Sequence, residues 1–429
     1  MPQYEQVLFK NRKPDRAATL DEYRQSGGYR ALEKFIGGKL GGGEVTRIVS
    51  ESGLRGRGGA GFPAGIKWAA VPRDGAYPRY LVANADEMEP GTFKDRVLLH
   101  SDPHCVIEGM ILSAYPCSAS KAFIFIRPSY DSAASILERE LEVARNAGFL
   151  GENILRSGFS CDIIVHRSGG RYICGEASAQ LNAIMGKRPN PIKPPPYPTE
   201  KGLCERPTVV NNVETLANVP HILQNGPEWF KSLALTEQGA GTKLFCVSGK
   251  VNTPGAVELP IGIRLSELIE EHCGGMPPGS EFKACLPGGA STRYLTKEHY
   301  SVEMDFDSLR TVGNRLGTAA VMVFDQKTCL VALTHNLMQF FARESCGWCT
   351  PCREGLPYMR DLLWKIESGE GEEEDIPLLR SMCRQVWNSY CALAPGAAEP
   401  VISLLDNFED EVREHIRRKG CPFHAQAGY

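Results

Sequence analysis

The stretch SCGWCTPCREG, Ser345 to Gly355, places Cys346, Cys349 and Cys352 within seven positions. The spacing C-x2-C-x2-C crowds the thiols too closely for three independent structural side chains, and disulfides between such near neighbours need special geometry. Structural zinc usually draws its ligands as two separated pairs. Cubane iron–sulfur clusters are held by thiolates presented around a single turn, with a fourth from elsewhere. The triplet therefore favours an iron–sulfur cluster over zinc or plain thiols. The segment reads as a loop between two helices, closed by Pro351. Cys383, Cys391 and Cys421 lie downstream as candidate fourth ligands. Cys383 falls inside the helical pattern LLRSMCRQVW. Cys391 lies in SYCALAPGAAEP, where one helix ends and another begins, and periodicity gives it only a slight preference.

Outward from this cluster, residues 327–429 read as helical throughout. LVALTHNLMQFFARES, GLPYMRDLLWKIES, DIPLLRSMCRQVWNS and AAEPVISLLDNFEDEVREHIRRKG form four segments, and Leu356, Met359, Leu363 and Ile366 share one helix face. Short connections favour an antiparallel bundle. Before it, residues 240–326 carry short strand-like runs (KLFCVSG, FKACLPGG, AAVMVFD) around the helix RLSELIEEHC, a small α+β domain. Residues 41–239 alternate helical patterns with the buried-strand runs YLVA, KAFIFI and DIIVH, which argues an α/β layered domain. Residues 1–40 read as a lead-in. PNPIKPPPYP, with six prolines in ten residues, is a stiff loop that can join neither sheet nor helix.

The 429 residues exceed one compact core and fit several domains. A net charge of −3 and the lack of basic runs exclude an electrostatic nucleic-acid binder. No apolar stretch approaches the roughly 18–20 residues of a membrane span, and MPQYEQVLFKNRKPDR has no signal-peptide core. A chain soluble by itself, docking on a membrane only through partners, is expected. Fifteen cysteines, an odd number scattered through apolar contexts, fit a reducing cytoplasm, with most acting as small hydrophobes.

The second unusual stretch is LRGRGGAGFPAGIKW, Leu54 to Trp68, which contains Gly56-x-Gly58-x-x-Gly61. The dinucleotide fingerprint needs a strand before it and a helix after, yet EVTRIVSESG reads as a helix and Pro63 follows closely. What survives is the physical role of the glycines, which let backbone N–H groups approach a phosphate or flat ring. Lys67 can add charge. Asn84, Asp86, Glu87 and Glu89 follow the strand RYLVA at its carboxyl end, where open α/β sheets place ligands. RYICGEASAQ sets Gly175 and Glu176 at a helix start, and VVNNVETLANVP sets Asn211 and Asn212 at another. Helix N-termini suit phosphate. Each motif alone also reads as caps and solvated charge, but together they favour one nucleotide site.

LRGRGGAGFP, NADEMEPGTFKDR, RYICGE, KPPPYP, NNVETLANVP and ESCGWCTPCREGLP, in this order across most of the chain, resemble the flavin- and NADH-binding subunit of bacterial respiratory complex I (NADH:quinone oxidoreductase). The resemblance implies a Rossmann-like FMN and NADH domain, a ubiquitin-like β-grasp domain and a C-terminal four-helix bundle carrying a [4Fe–4S] cluster. It makes Cys391 the fourth ligand beside Cys346, Cys349 and Cys352. For FMN it implies Gly58, Gly59, Lys67, Asn84, Asp86, Tyr172, Gly175, Glu176, Val210, Asn211, Asn212 and Thr215. For NADH it implies Gly56, Gly61, Phe62 (stacking on the nucleotide rings), Glu89, Lys193 and Tyr197. The last two sit in a loop one proline longer than the usual KPPFP. In such subunits hydride passes from NADH to the flavin without side-chain acid–base catalysis, and electrons leave singly through the cluster. The implied partners are a thioredoxin-like [2Fe–2S] subunit and a large iron–sulfur subunit, on the cytoplasmic side in the complex's peripheral arm.

One departure stands out. The family commonly reads GEE where this chain reads Gly175-Glu176-Ala177. The missing carboxylate would accept hydrogen bonds from the NADH ribose and repel a 2′-phosphate, so weaker NADH binding and reduced discrimination against NADPH are expected. Related flavin subunits serve NAD-reducing hydrogenases and formate dehydrogenases. Those often carry an added thioredoxin-like or ferredoxin-like domain, and the short form here favours the respiratory complex. A structural subunit that keeps cluster and fold but no longer oxidises NADH is the non-enzymatic alternative, and a zinc-binding scaffold a further one.

Overall fold

The computed structural model describes residues 4–75 and 77–423. The first sheet contains β1 (Tyr80–Ala85), β2 (Lys121–Ile126), β3 (Asp162–Arg167) and β4 (Thr208–Asn212) in the order β3-β2-β1-β4. All three pairings are parallel, with Leu81 opposite Ala122 and Val209. A parallel sheet is covered on both faces, and strand periodicity sorts the side chains. Leu81, Ala83, Ala122, Ile124 and Val209 face a core closed by the helices Pro103–Ala114 and Asp131–Asn146. Val82, Phe125 and Val210 face the opposite way, into a core shared with the helical C-terminal region. The chain runs outward from β1 to β3, then returns to lay β4 on the free side of β1. This reversal is a switch point, and it opens a crevice outside the carboxyl ends of β1 and β4.

The strand runs at 80, 121 and 162 appear where alternation placed them. β4 escapes a reading by pattern because VVNN runs directly into a helix: Asn212 ends the strand and caps Val213–Ala217 through a bond from the Glu214 N–H. As expected, a helix, Gly42–Glu51, precedes the glycine loop. That loop closes on itself through Gly56 N to Phe62 O (2.8 Å) and Ala64 N to Leu54 O (2.9 Å).

A second, mixed sheet has the order β6-β5-β9-β7-β8. It is built from β5 (Thr242–Gly249), β6 (Gly255–Pro260), β7 (Phe282–Leu286), β8 (Leu295–Thr296) and β9 (Ala320–Asp325). β5 and β9 are parallel, and the other pairs antiparallel. Phe245, Val247, Val321 and Val323 pack on Leu265, Leu268 and Ile269 of the short helical segment. Leu286 and Phe324 enter the core shared with the C-terminal helices. The N-terminal segment is tied to this sheet: the Val7, Leu8 and Phe9 N–H groups all donate to the buried carboxylate of Glu258.

The C-terminal region contains helices Leu330–Glu344, Thr350–Glu367, Asp375–Val386, Leu393–Asn407 and Glu409–Arg418. Two local expectations are corrected. Cys352 is not in a loop, because Pro351 opens the helix from Thr350 and places Cys352 in its first turn, as proline's fixed φ permits there. The last expected segment is two helices, broken at Phe408 (φ −138°, ψ 27°). Among the described residues no helix is long and apolar enough to cross a membrane.

Candidate functional site

A cavity of about 410 Å³ lies at the switch-point crevice. Its walls come from Gly58 and Gly59 of the glycine loop, from Asn84 and Asp86 beyond β1, and from Tyr172, Gly175 and Glu176. Asn212 at the end of β4 joins them, together with Glu89. Gly58 suits this close approach, since a Cβ there would stand only 3.0 Å from the Asn212 Cβ and press it aside. The loop is anchored from behind, where Arg57 N donates to Thr215 Oγ1 at 2.8 Å. Asn212 is held in turn, donating to Asp95 Oδ2 at 2.7 Å and to Asn84 O at 3.2 Å.

The acidic run NADEMEP resolves into distinct tasks. Asn84 donates to Gly175 O at 3.2 Å, tying β1 to the helix start opposite. Glu87, also in the cavity wall, accepts the Asp95 and Arg96 N–H groups at the start of helix Lys94–Ser101. Glu89 accepts from Tyr172 OH at 2.6 Å and from Ser291 N at 2.7 Å. Asp86 keeps both carboxylate oxygens buried with no partner in good hydrogen-bond geometry; the Ser168 hydroxyl is its one side-chain hydrogen-bonding neighbour, and Arg127 adds a favourable charge. Burial pushes this carboxyl up to about 6. A buried carboxylate with so little donor support is costly, so Asp86 fits a ligand that brings hydroxyl or N–H groups.

The cavity's buried cation is Lys94. Burial alone would lower its pKa, but Asp95 and Glu214 carry it upward, with Nζ 2.6 Å from Asp95 Oδ1 and 2.8 Å from Glu214 Oε2. Lys67 does not line the cavity. Its ammonium donates to Val210 O at 3.0 Å, and burial lowers its pKa. Val210, Asn211 and Thr215 also stand outside the lining: Asn211 accepts the Trp68 ring N–H at 3.0 Å. Of the residues expected around the nicotinamide nucleotide, Glu89 alone lines the cavity. Gly56 and Gly61 shape the loop, Lys193 is exposed, and the Phe62 and Tyr197 rings are 50% and 56% exposed.

Sequence patterns do not reveal the wall contributed by the second sheet: Gly288, Ser291, Arg315, Gly317 and Thr318. Gly288 and Gly317 lie back to back, where a Cβ on either would meet the other's backbone or that of Leu316 within 2.4 Å. Glycines flanked by polar residues in LPGGAST and NRLGT are the available signal, and such stretches read equally well as turns.

Cys346, Cys349, Cys352 and Cys391 converge beside this cavity. Burial pushes the Cys352 thiol up to about 12 and Cys391 up to about 11, and the neighbouring sulfurs of the same group add to each shift. Ser345 Oγ lies 3.1 Å from Cys352 Sγ. Cys391, Ala392 and Leu393 are themselves part of the cavity wall. An all-sulfur donor set with high thiol pKa values needs a strongly thiophilic cation to ionise it, which fits an iron–sulfur cluster. The orphaned Asp86, the glycine-lined wall and Lys94 fit a polyhydroxylated, phosphorylated flat ring.

Comparison with known proteins agrees with this arrangement. Residues 49–221 match the Nuo51 FMN-binding domain, residues 332–415 the NADH-ubiquinone oxidoreductase-F iron-sulfur binding region, and residues 244–294 the SLBB domain. The chain is 47% identical over 422 residues to the F 2 subunit of the NADH-quinone oxidoreductase of Rhizobium meliloti, covering 98% of this chain and 100% of that one. It is 46% identical to the corresponding F subunit of Escherichia coli, covering 97% and 94%. A solved NAD+-reducing [NiFe]-hydrogenase in the H2-reduced state superposes with a TM-score of 0.83 at 34% identity, over 95% of this chain and 67% of that chain. With near-full-length identity at this level, the chain belongs to the family of NADH-quinone oxidoreductase F subunits.

Proposed function

We propose that this chain is the electron-entry subunit of a respiratory NADH:quinone oxidoreductase, with FMN in the switch-point cavity and a [4Fe–4S] cluster on Cys346, Cys349, Cys352 and Cys391. The observation that carries the reading is that Cys391 belongs both to the thiol quartet and to the cavity wall. When bound, FMN takes the hydride of NADH, and the cluster carries the electrons onward singly. The chain's own residues bind and orient. Asp86 offers its buried carboxylate oxygens to hydroxyl donors, and the glycine loop offers backbone N–H groups. Lys94 supplies a fixed positive charge inside a low-dielectric wall, where it counts for more than in water. Glu89, fixed by Tyr172 and Ser291, is set to accept hydrogen bonds from NADH, and Glu176 is held by Ser178 Oγ at 2.6 Å and Ala179 N at 2.9 Å.

The sheet order β6-β5-β9-β7-β8 around one helix supports a ubiquitin-like β-grasp domain at 240–326. The contacts of helix Leu330–Glu344 with Thr350–Glu367 and Leu393–Asn407, and of Asp375–Val386 with both latter helices, support a four-helix bundle at 327–429. Residues 41–239 then form the FMN and NADH domain, behind a lead-in at 1–40. A thioredoxin-like [2Fe–2S] subunit and a large iron–sulfur subunit are the partners this reading requires, in a peripheral arm on the cytoplasmic side. The likeness to the NAD+-reducing hydrogenase supports a second reading, a subunit of a soluble hydrogenase. The near-complete mutual coverage with NADH-quinone oxidoreductase subunits favours the first.

Anaerobic titration of the flavin- and iron-replete chain with NADH, following flavin bleaching, tests the proposal. Rapid bleaching with electrons reaching the cluster is expected. A replete sample that NADH does not bleach would leave only a structural role.

A further inference from the structure

We propose a second metal site, a zinc site formed by Cys329, Glu367, His415 and Cys421, away from the cysteine quartet. The four ligand atoms all lie within 4.8 Å of one another. Cys329 Sγ is 3.3 Å from His415 Nε2 and 3.4 Å from Glu367 Oε2. Nε2 and Oε2 are 3.1 Å apart. A tetrahedron with Zn–S near 2.3 Å and Zn–N or Zn–O near 2.0–2.1 Å separates its ligand atoms by about 3.3–3.8 Å. The three spacings need to open by only a few tenths of an ångström to admit the ion.

The surroundings are built as a ligand's second layer would be. His415 Nδ1 lies 2.7 Å from Glu411 O. A proton on Nδ1 that donates there leaves the Nε2 lone pair facing the other three ligands, which is how ligating histidines are usually oriented. Glu411 is in turn fixed by Lys283 Nζ at 2.6 Å and Leu330 N at 2.7 Å. Cys329 caps helix Leu330–Glu344, its sulfur accepting the Ala332 N–H at 3.3 Å. His415 is fully buried, while Cys329 and Cys421 are partly exposed and give the ion a way in. The Phe423 ring sits tilted beside His415 with centroids 6.3 Å apart, and Lys283 Nζ stands 4.5 Å from the Phe423 ring centroid.

The site joins the start of helix Leu330–Glu344, the end of Thr350–Glu367 and the turn after Glu409–Arg418. Cys329 and Cys346 flank opposite ends of a 15-residue helix, about 22 Å long, so this group and the quartet occupy opposite ends of the helical region. Two sulfurs, one imidazole and one carboxylate suit zinc, and four protein ligands leave no open position, so the ion is structural. Binding releases the two thiol protons to solvent and clamps the end of the chain to the bundle.

The test is metal analysis of the full chain, replete in flavin and cluster, after reduction and equilibration with Zn2+ and removal of the excess. About one zinc per chain beyond the cluster iron is expected. Cys421→Ser, at a partly exposed position, should bring zinc below about a tenth of that, leave iron and flavin content unchanged, and lower the Tm. His415→Ala serves as the second variant and should lose zinc likewise. Three results would overturn the proposal: no zinc on the wild-type chain, full zinc in both variants, or a Cys329–Cys421 disulfide found by peptide mass spectrometry in the reduced, zinc-treated protein.

Discussion

The thiol quartet and the glycine-lined cavity share a wall, yet they are assembled in opposite ways. Three of the four sulfurs come from a single helix start, Cys346 to Cys352, and only Cys391 arrives from elsewhere. The cavity draws on the glycine loop, the ends of β1 and β4, the turn before helix Ala177–Ile184 and two loops of the second sheet. A site built around one turn depends on local spacing. A site spread over the fold depends on sheet order, because only the reversal from β3 to β4 opens the crevice. Damage to one should therefore be separable from damage to the other, and Cys352→Ser is the strongest test. Iron should fall from a full cluster to near zero and onward electron transfer should stop, while flavin stays bound and NADH still bleaches it. Parallel iron and flavin determinations decide it, and joint loss of both would mean that the cavity wall rests on the cluster.

The converse damage is Gly58→Val. Its Cβ already meets Asn212 at 3.0 Å, and the two further methyls would push Asn212 off Asp95 and Asn84. Overpacking of this kind costs about 1–3 kcal/mol, so FMN affinity should fall by up to about a hundredfold, with iron content unchanged. Flavin fluorescence on titration into the apoprotein reads the loss. Gly58→Ala should fall between wild type and valine, since it adds the close contact but not the branch.

The same contrast explains what was legible in the sequence. C-x2-C-x2-C carries its chemistry in its spacing, and the C-terminal helices follow from apolar periodicity. Three of the four parallel strands were visible as apolar runs of the right length. β4 was not, because Asn211 and Asn212 at its end read as helix-capping residues, and Asn212 does cap. Lys67 reads in the sequence as a charge available beside the glycine loop, although its ammonium is spent on Val210 O and Lys94 faces the cavity instead. No pattern in KDR says that Lys94 is buried between Asp95 and Glu214. Arg315 and Thr318 reach the site only because the second sheet packs beside the first, a relation between domains that local patterns do not encode.

Asp86 sharpens the comparison by pH. Its carboxyl titrates at about 6 instead of the ordinary 3.8, because burial disfavours the charge. In the ligand-free protein ionisation therefore costs stability, starting as pH rises past the unfolded value and complete above about 6. A ligand hydroxyl that donates to the carboxylate favours the ionised form. Flavin affinity should rise as pH passes from 5 to 7, by up to about tenfold per unit below the carboxyl's midpoint. Asp86→Asn should remove that rise and weaken binding by about thirtyfold at neutral pH, the worth of a charged hydrogen bond of about 2 kcal/mol. The phosphate of FMN titrates near 6 as well, so the difference between wild type and variant, measured with both FMN and riboflavin, isolates the carboxylate.

The smallest effect concerns specificity. Ala177 opens helix Ala177–Ile184 beside Glu176, whose carboxylate already caps that helix through Ala179 N. Both of these bonds, to Ala179 N and from Ser178 Oγ, fall on Oε2, which fixes the carboxylate and leaves Oε1 as its one acceptor toward the cavity, so an acid at 177 would add a second acceptor there. Ala177→Glu should raise the NADH over NADPH ratio of kcat/KM by about tenfold, through a new acceptor for the ribose hydroxyls and repulsion of a 2′-phosphate. Helix placement of the new acid is itself favourable, since a negative charge in the first turn meets the positive end of the dipole, and the variant should keep or slightly raise its Tm. An unchanged ratio with flavin and iron intact would mean that another cavity residue already selects the nucleotide. Glu89 is then the residue to substitute next, because its Oε2 is shared with Tyr172 and it is the expected NADH contact that lines the cavity.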